Sequence, residues 1–134
     1  MSVELEAVLR LVLAALLGGI IGFQREREKK PAGLRTHILI CLGAAVFTVA
    51  SMYGFGLADP ARVAAGIVTG IGFLGAGAII QRHEGGVVVG LTTAATIWIV
   101  AGIGVTAGAG LYWIAVVTTV IALIVLYLPH RIQG

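Results

Sequence analysis

Apolar residues fall into five long runs that are separated by short polar segments. A helix that crosses a bilayer needs about 20 predominantly apolar residues, and each run is close to that length. The pattern therefore predicts five transmembrane helices in a single domain over residues 1–134, with no C-terminal soluble domain. The predicted spans are residues 5–22, 36–54, 61–80, 88–105 and 108–128.

The first run is short and contains a charged residue, Arg10. It follows the acidic residues Glu4 and Glu6, whereas a secretory signal peptide begins with basic residues. We therefore expect the first run to stay in the membrane as a helix.

Basic residues are concentrated in the first predicted loop, residues 23–35, which holds five of the nine Lys and Arg. With five spans, this loop, the third loop and the C-terminal segment share one side, which then carries seven of the nine. Loops rich in Lys and Arg remain in the cytoplasm. The sequence thus predicts an all-α membrane bundle with its N-terminus outside and its C-terminus in the cytoplasm.

Composition supports the membrane class. Hydrophobic residues make up 59% of the chain, charged residues 11%, and the mean hydropathy is +1.06. A soluble domain has about 25% charged residues, so an ordinary soluble enzyme is excluded. A single cysteine, Cys41, excludes a disulfide scaffold. The net charge of +3 comes mainly from one loop, which favours a topology signal over nucleic-acid binding.

Twenty glycines are scattered through the chain, several of them at four-residue spacing in the apolar runs. Small residues at this spacing let helix backbones approach closely in a membrane. The third run is richest in them, so we expect it to be the central packing helix. Its G-x-G-x-x-G segment, residues 70–75, lacks the strand that a dinucleotide site requires, and helix packing is the favoured interpretation. The candidate packing glycines are Gly18, Gly22, Gly66, Gly70, Gly75 and Gly77.

Polar residues cluster where the predicted helices end on the cytoplasmic side. Arginine suits phosphate or carboxylate, and a helix start with hydroxyls can add further donors. One hypothesis is therefore a polar functional pocket; the alternative is that the arginines set topology and the threonines bond to their own helices. We expect His37 to be interfacial and Asp59, with Arg62, to cap a helix on the outer side. The pocket candidates are Gln24, Arg25, Arg35, Thr36, Thr92 and Thr93.

Candidate chemistry beyond this pocket is sparse. Magnesium prefers oxygen ligands with carboxylates, but Glu26, Glu28, Asp59 and Glu84 all lie outside the predicted spans. A metal site is therefore left undefined by the sequence. No hydrolase or metalloprotease motif is present, so we expect neither an enzyme nor a cofactor.

Four short words occur in order: Ala-Gly-Leu-Arg-Thr-His at 32–37, Asp-Pro-Ala-Arg at 59–62, the glycine-rich segment 70–77, and Gly-Leu-Thr-Thr-Ala-Ala at 90–95. Together they resemble the MgtC/SapB family of bacterial inner-membrane proteins. The resemblance implies five transmembrane helices with the N-terminus outside. It also implies a link to low-magnesium growth, to virulence in pathogens, and to restraint of the ATP synthase.

The chain departs from the family pattern at three positions. Gln24 stands where the family usually has Glu, Gly66 where it often has Gln, and Val89 where it often has Arg. The changes at Gln24 and Val89 would remove one ion pair together. We expect a non-enzymatic regulator of another membrane complex, as a homo-oligomer and first of all a dimer; the alternative is a transporter or channel for magnesium, potassium or phosphate.

Overall fold

The computed structural model describes residues 2–55, 59–81 and 90–129. Every regular element in these ranges is a helix, which confirms the all-helical prediction. The five helices are α1 (Val3–Arg27), α2 (Leu34–Tyr53), α3 (Pro60–Gln81), α4 (Leu91–Gly108) and α5 (Tyr112–Leu126).

Four of the helices, α1 to α4, are long and apolar enough to cross a membrane. The fifth, α5, is apolar but has 15 residues. At 1.5 Å per residue it extends about 22 Å, less than the roughly 30 Å hydrocarbon core. The structure therefore shows four membrane-length helices and one shorter apolar helix where five full spans were predicted.

Side chains cap three of the helix starts. The Ser2 hydroxyl accepts a hydrogen bond from the Leu5 amide at 3.1 Å, and Asp59 accepts one from the Ala61 amide at 3.0 Å. Pro60 occupies the first position of α3, where its missing N–H has no cost. Glu26 accepts from the Leu34 amide at 3.1 Å, so the end of α1 holds the start of α2.

Helix α2 packs between α1 and α4, and glycines make both contacts close. A methyl group added at Gly18 would lie 2.6 Å from Cys41 Cβ, and one at Gly108 would lie 3.0 Å from Thr48 Cβ. Gly22 and Gly104 meet α2 in the same way. The small-residue pairs on α1 and α4 thus bring three backbones together, with Cys41 fully buried among them.

The prediction that the third helix is the central packing helix is wrong. A methyl group at Gly66, Gly70 or Gly77 would find no described atom within 4 Å, and one at Gly75 would make an ordinary contact with Ala94 at 3.6 Å. Among the described residues, the fully buried apolar core draws on α1, α2, α4 and α5. Small residues permit close packing but do not select the partner, so glycine content alone misplaced the centre of the bundle.

The helices alternate in direction. At one end, here called the Arg10 end, the start of α1 meets the end of α4 and the start of α5. At the opposite end, called the Arg25 end, the end of α1 meets the start of α4 and the end of α5. Helices α1 and α5 therefore run parallel, and the basic loop between α1 and α2 lies at the Arg25 end.

Candidate functional site

Arg25 is a charged side chain buried between two helices. It lies near the end of α1, is 2% exposed, and donates from Nη2 to the Thr93 hydroxyl at 3.0 Å. Thr93 is fully buried in the first turn of α4. Gly90, with a φ of 90°, provides the left-handed backbone from which α4 starts. At this end of the bundle, a charge-assisted hydrogen bond thus links α1 to α4.

Two polar atoms beside this bond have no partner among the described residues. They are Arg25 Nε and Gln24 Oε1, one a donor and the other an acceptor. Gln24 itself is 6% exposed. Leaving a buried polar atom without a hydrogen bond is unfavourable by about 1–3 kcal/mol, and more when the group is charged. The pair therefore marks a place where a further group would be stabilised.

A cavity of about 230 Å³ is lined in part by Gln24 and Arg25. One wall is polar and includes two cationic side chains, one carboxylate, one amide and one hydroxyl. The other wall is apolar and comes from the end of α5. The lining residues are Gln24, Arg25, Glu28, Lys30, Thr92, Val125, Leu126, Leu128 and Pro129. An amphipathic cavity of this kind lies at the end of the helices, not in the middle of the bundle.

Of the six predicted pocket residues, Gln24, Arg25 and Thr92 line this cavity and Thr93 bonds to Arg25. Arg35 is exposed and does not line it, so this arginine is misplaced in the predicted pocket. Thr36, also exposed, lines a separate, mostly apolar cavity of about 440 Å³ between α2, α3 and α4.

The alternative of bonding to their own helix is seen at threonines outside the predicted pocket. Thr96 donates to the Thr92 carbonyl at 2.7 Å and Thr119 to the Ala115 carbonyl at 2.9 Å. Thr93 differs because its hydroxyl accepts from Arg25 on another helix. The sequence does not distinguish these threonines, since each sits in an apolar helix.

His37 is fully buried, so the prediction that it is interfacial is wrong. Its Nδ1 lies 2.8 Å from the Gly33 carbonyl, while Nε2 has no partner within the described part of the chain. Gly22 on α1 packs against its Cβ, which closes that side to solvent. The absence of a side chain at Gly22 is the reason that the ring is covered.

The sequence analysis missed a polar cluster at the Arg10 end. Arg10 is buried, pairs with Glu6, and donates to the Gly108 carbonyl at 3.0 Å and to the Tyr112 hydroxyl at 3.3 Å. Its guanidinium carbon lies 5.4 Å from the centre of the Tyr53 ring. A charged residue inside an apolar run was the signal that could have found this cluster.

The remaining predicted polar residues lie elsewhere. Asp59 and Arg62 are exposed at the start of α3, where Asp59 caps the helix, and neither lines the cavity at the Arg25 end. Val89 lies outside the described residues, so the ion pair that positions 24 and 89 were predicted to have lost cannot be placed in the structure. Within the described ranges, no three His, Cys, Asp or Glu side chains group closely enough to hold a metal ion.

Membrane-length apolar helices with charged side chains buried at both ends define a multi-pass membrane protein. The sequence matches the MgtC family over residues 11–134. The chain belongs to the MgtC family, which confirms the resemblance seen in its short sequence words.

Named relatives are similar over most of the chain. It is 46% identical over 136 residues to YhiD of Escherichia coli (strain K12), which carries the name of a proposed magnesium transporter. It is 55% identical over 107 residues to protein MgtC of Brucella abortus (strain 2308), and 50% identical over 116 residues to protein MgtC of Salmonella typhimurium (strain 14028s / SGSC 2262). No solved structure matches the chain.

The relatives are longer than this chain. The alignments cover 95%, 80% and 87% of the chain but 62%, 44% and 49% of YhiD and the two MgtC proteins, respectively. The chain thus spans about half the length of the curated relatives it matches.

Proposed function

We propose that this membrane protein is a non-enzymatic regulator in magnesium and ion homeostasis, and that it acts in the bacterial inner membrane by binding another membrane complex. The family and the magnesium-related name of YhiD support the physiological setting. The regulatory mechanism is supported by the surface that α2 and α3 leave open.

The observation that carries the proposal is an apolar groove of about 570 Å³ between α2 and α3. Gly43 from α2 and Gly66 and Gly70 from α3 line it, and none has a described atom within 4 Å of an added methyl group. Small residues let a second helix approach closely in lipid, where apolar surface area alone drives no association. The groove therefore suits a transmembrane helix of a partner.

The partner that we propose is a transmembrane helix of another membrane complex. The family resemblance makes the ATP synthase the first complex to test. A second copy of the chain, forming a homodimer through the same groove, is the competing occupant. Both would bury the glycine face of α3.

The test places a photo-crosslinking phenylalanine derivative at Leu74, which lines the groove, in cells that depend on the protein for growth at low magnesium. The matched control is Phe73, which is 78% exposed and does not line the groove. We expect a crosslinked partner from position 74 and its loss in Gly70→Leu but not in Gly72→Leu, because Gly72 lies outside the groove. Loss of low-magnesium growth should follow the same pattern.

Equal crosslinking from positions 73 and 74, or equal growth of the two glycine variants, would contradict docking in the groove. A crosslink between two copies of the chain would identify the homodimer instead. Thermal unfolding of both variants provides the folding control, and we expect little change because Gly70 and Gly72 face open space.

The second candidate is an ion transporter, favoured by the name of YhiD and by the buried polar residues at the Arg25 end. It predicts magnesium, potassium or phosphate flux by the purified protein in liposomes. If the purified protein shows ion flux and the Arg25→Gln variant shows less, transport would be favoured over docking. Absence of flux of all three ions, together with a crosslinked partner, would favour the regulator.

A further inference from the structure

We infer that the cavity at the Arg25 end binds the phosphodiester group of a phospholipid, with its fatty-acid end toward α5. This inference does not depend on the proposed regulatory role. It arises from the chemistry of the cavity walls and from the burial of Arg25, which lines them.

The first argument is the uncompensated charge. Arg25 is 2% exposed, and no described carboxylate oxygen lies within ion-pair distance of it; the ion pair that the described residues form is Arg10–Glu6. A buried guanidinium is strongly disfavoured unless an anion and hydrogen bonds accompany it. Arg25 lines the cavity, and a guanidinium is well matched to a phosphate oxygen, which arginine commonly binds.

The second argument is the arrangement of charge in the cavity. Lys30 supplies another cation and Thr92 a hydroxyl, whereas Glu28 supplies a carboxylate. The carboxylate disfavours a doubly charged phosphate but tolerates a singly charged phosphodiester. Gln24 also lines the cavity, and its side-chain amide can hydrogen-bond to a headgroup amine or hydroxyl.

The third argument is the apolar wall. Leu126 and Leu128, from the end of α5, border the same space as Arg25 and Lys30. A cavity of about 230 Å³ is several times the roughly 30 Å³ of one liquid water, so it admits a headgroup with part of its glycerol. Free phosphate would use the polar wall alone, whereas a phospholipid would use both walls.

The test uses the purified full chain in neutral detergent. Native mass spectrometry counts phospholipid retained per chain, and thermal unfolding is followed with added phosphatidylethanolamine, phosphatidylglycerol, inorganic phosphate, or diacylglycerol, which lacks the phosphate. We expect one retained phospholipid and a higher Tm with the phospholipids but not with diacylglycerol.

Variants locate the site. Lys30→Ala should weaken phospholipid binding about tenfold, since it removes one charge-assisted contact. Arg35→Ala, which removes an exposed arginine outside the cavity, is the charge-matched control and should bind as the wild type does. Gln24→Leu tests the headgroup contact and should reduce the preference for phosphatidylethanolamine over phosphatidylglycerol.

The outcomes separate the sources of the phosphate. Stabilisation by phospholipid and not by inorganic phosphate supports the inference in full. Stabilisation by inorganic phosphate alone would support an anion-binding site but contradict the binding of a phospholipid there. Equal effects of diacylglycerol and phospholipid, equal binding by Lys30→Ala and Arg35→Ala, or no stabilisation by any phosphate compound overturns the site.

Discussion

At the scale of single residues, two buried arginines at opposite ends of the bundle have different surroundings. Arg10 has a carboxylate, a carbonyl, a tyrosine hydroxyl and an aromatic ring around it. Arg25 has one described hydrogen-bond partner, Thr93. A charge within a membrane helix is unfavourable by about 2.5–3.5 kcal/mol on insertion scales. Arg10 is therefore compensated by the protein itself, whereas Arg25 is left suited to a ligand.

Arg10→Ala should lower the free energy of unfolding by about 2 kcal/mol, because hydrogen bonds to a charged group contribute about 1.5–3 kcal/mol. Arg10→Lys should recover part of the loss, since an ammonium keeps the charge but lacks the guanidinium fork. Unfolding in mixed micelles measures both. Arg62→Ala, at an exposed site, is the control, and equal stability of Arg10→Ala and Arg62→Ala would contradict a structural role for the cluster.

At the scale of helices, glycines at the same four-residue spacing make close helix contacts in α1 and α4 but line an open groove in α3. The pairs Gly18 with Gly22 and Gly104 with Gly108 touch α2, whereas Gly66 and Gly70 line an open groove. The difference arises because the pairs on α1 and α4 both face α2, whereas the pair on α3 faces a groove that no described residue fills. Spacing predicts which face of a helix can pack closely, but not whether a partner is present in the same chain.

Gly104→Ala should therefore destabilise the protein by about 1–3 kcal/mol, the usual range for overpacking. Its added methyl group would lie 2.8 Å from Ala44 Cβ and against the α2 backbone. Gly102→Ala, the same substitution in the same helix, is the control. It should change the free energy of unfolding by less than about 0.5 kcal/mol, because its added methyl group would lie in open space. If the two variants have the same Tm, α4 does not depend on this close approach.

At the scale of the whole molecule, the two ends of the bundle differ in the charge of the residues near them. The basic loop and the amphipathic cavity share the Arg25 end, while the Arg10 end has the acidic start of α1. From the positive-inside rule, we expect the Arg25 end to lie in the cytoplasm. A phospholipid bound there would come from the inner leaflet.

Labelling of single cysteines tests this orientation. Ser2→Cys should react with an impermeant maleimide on spheroplasts, and Lys29→Cys should react only after the membrane is opened. Unmodified chain is the control, because Cys41 is fully buried and should not react under either condition. Reaction of both introduced cysteines from the outside would refute the predicted topology.

Much of the fold followed from local pattern. The start of α3 at Asp59 and Pro60, the apolar length of α1 to α4, and the short family words all reflect chemistry between near neighbours in the chain. The candidate site was predicted less completely from the sequence than the fold was. Polar groups near helix ends were singled out at Gln24, Arg25, Thr92 and Thr93. Arg35 was wrongly grouped with them, and Arg10, a charge inside an apolar run, was not included among the candidates.

The sequence by itself determined that the chain is an all-helical membrane protein of the MgtC type, because hydropathy, capping and short words are properties of consecutive residues. The tertiary structure decided that α2 and not α3 is flanked by the close glycine contacts, that Arg25 bonds to Thr93 while Arg35 stays exposed, and that Arg10 meets Tyr112 across the bundle. These contacts depend on how helices rotate about their axes and which neighbours they meet. Apolar stretches of similar composition fit many such arrangements, so only the packed bundle selects among them.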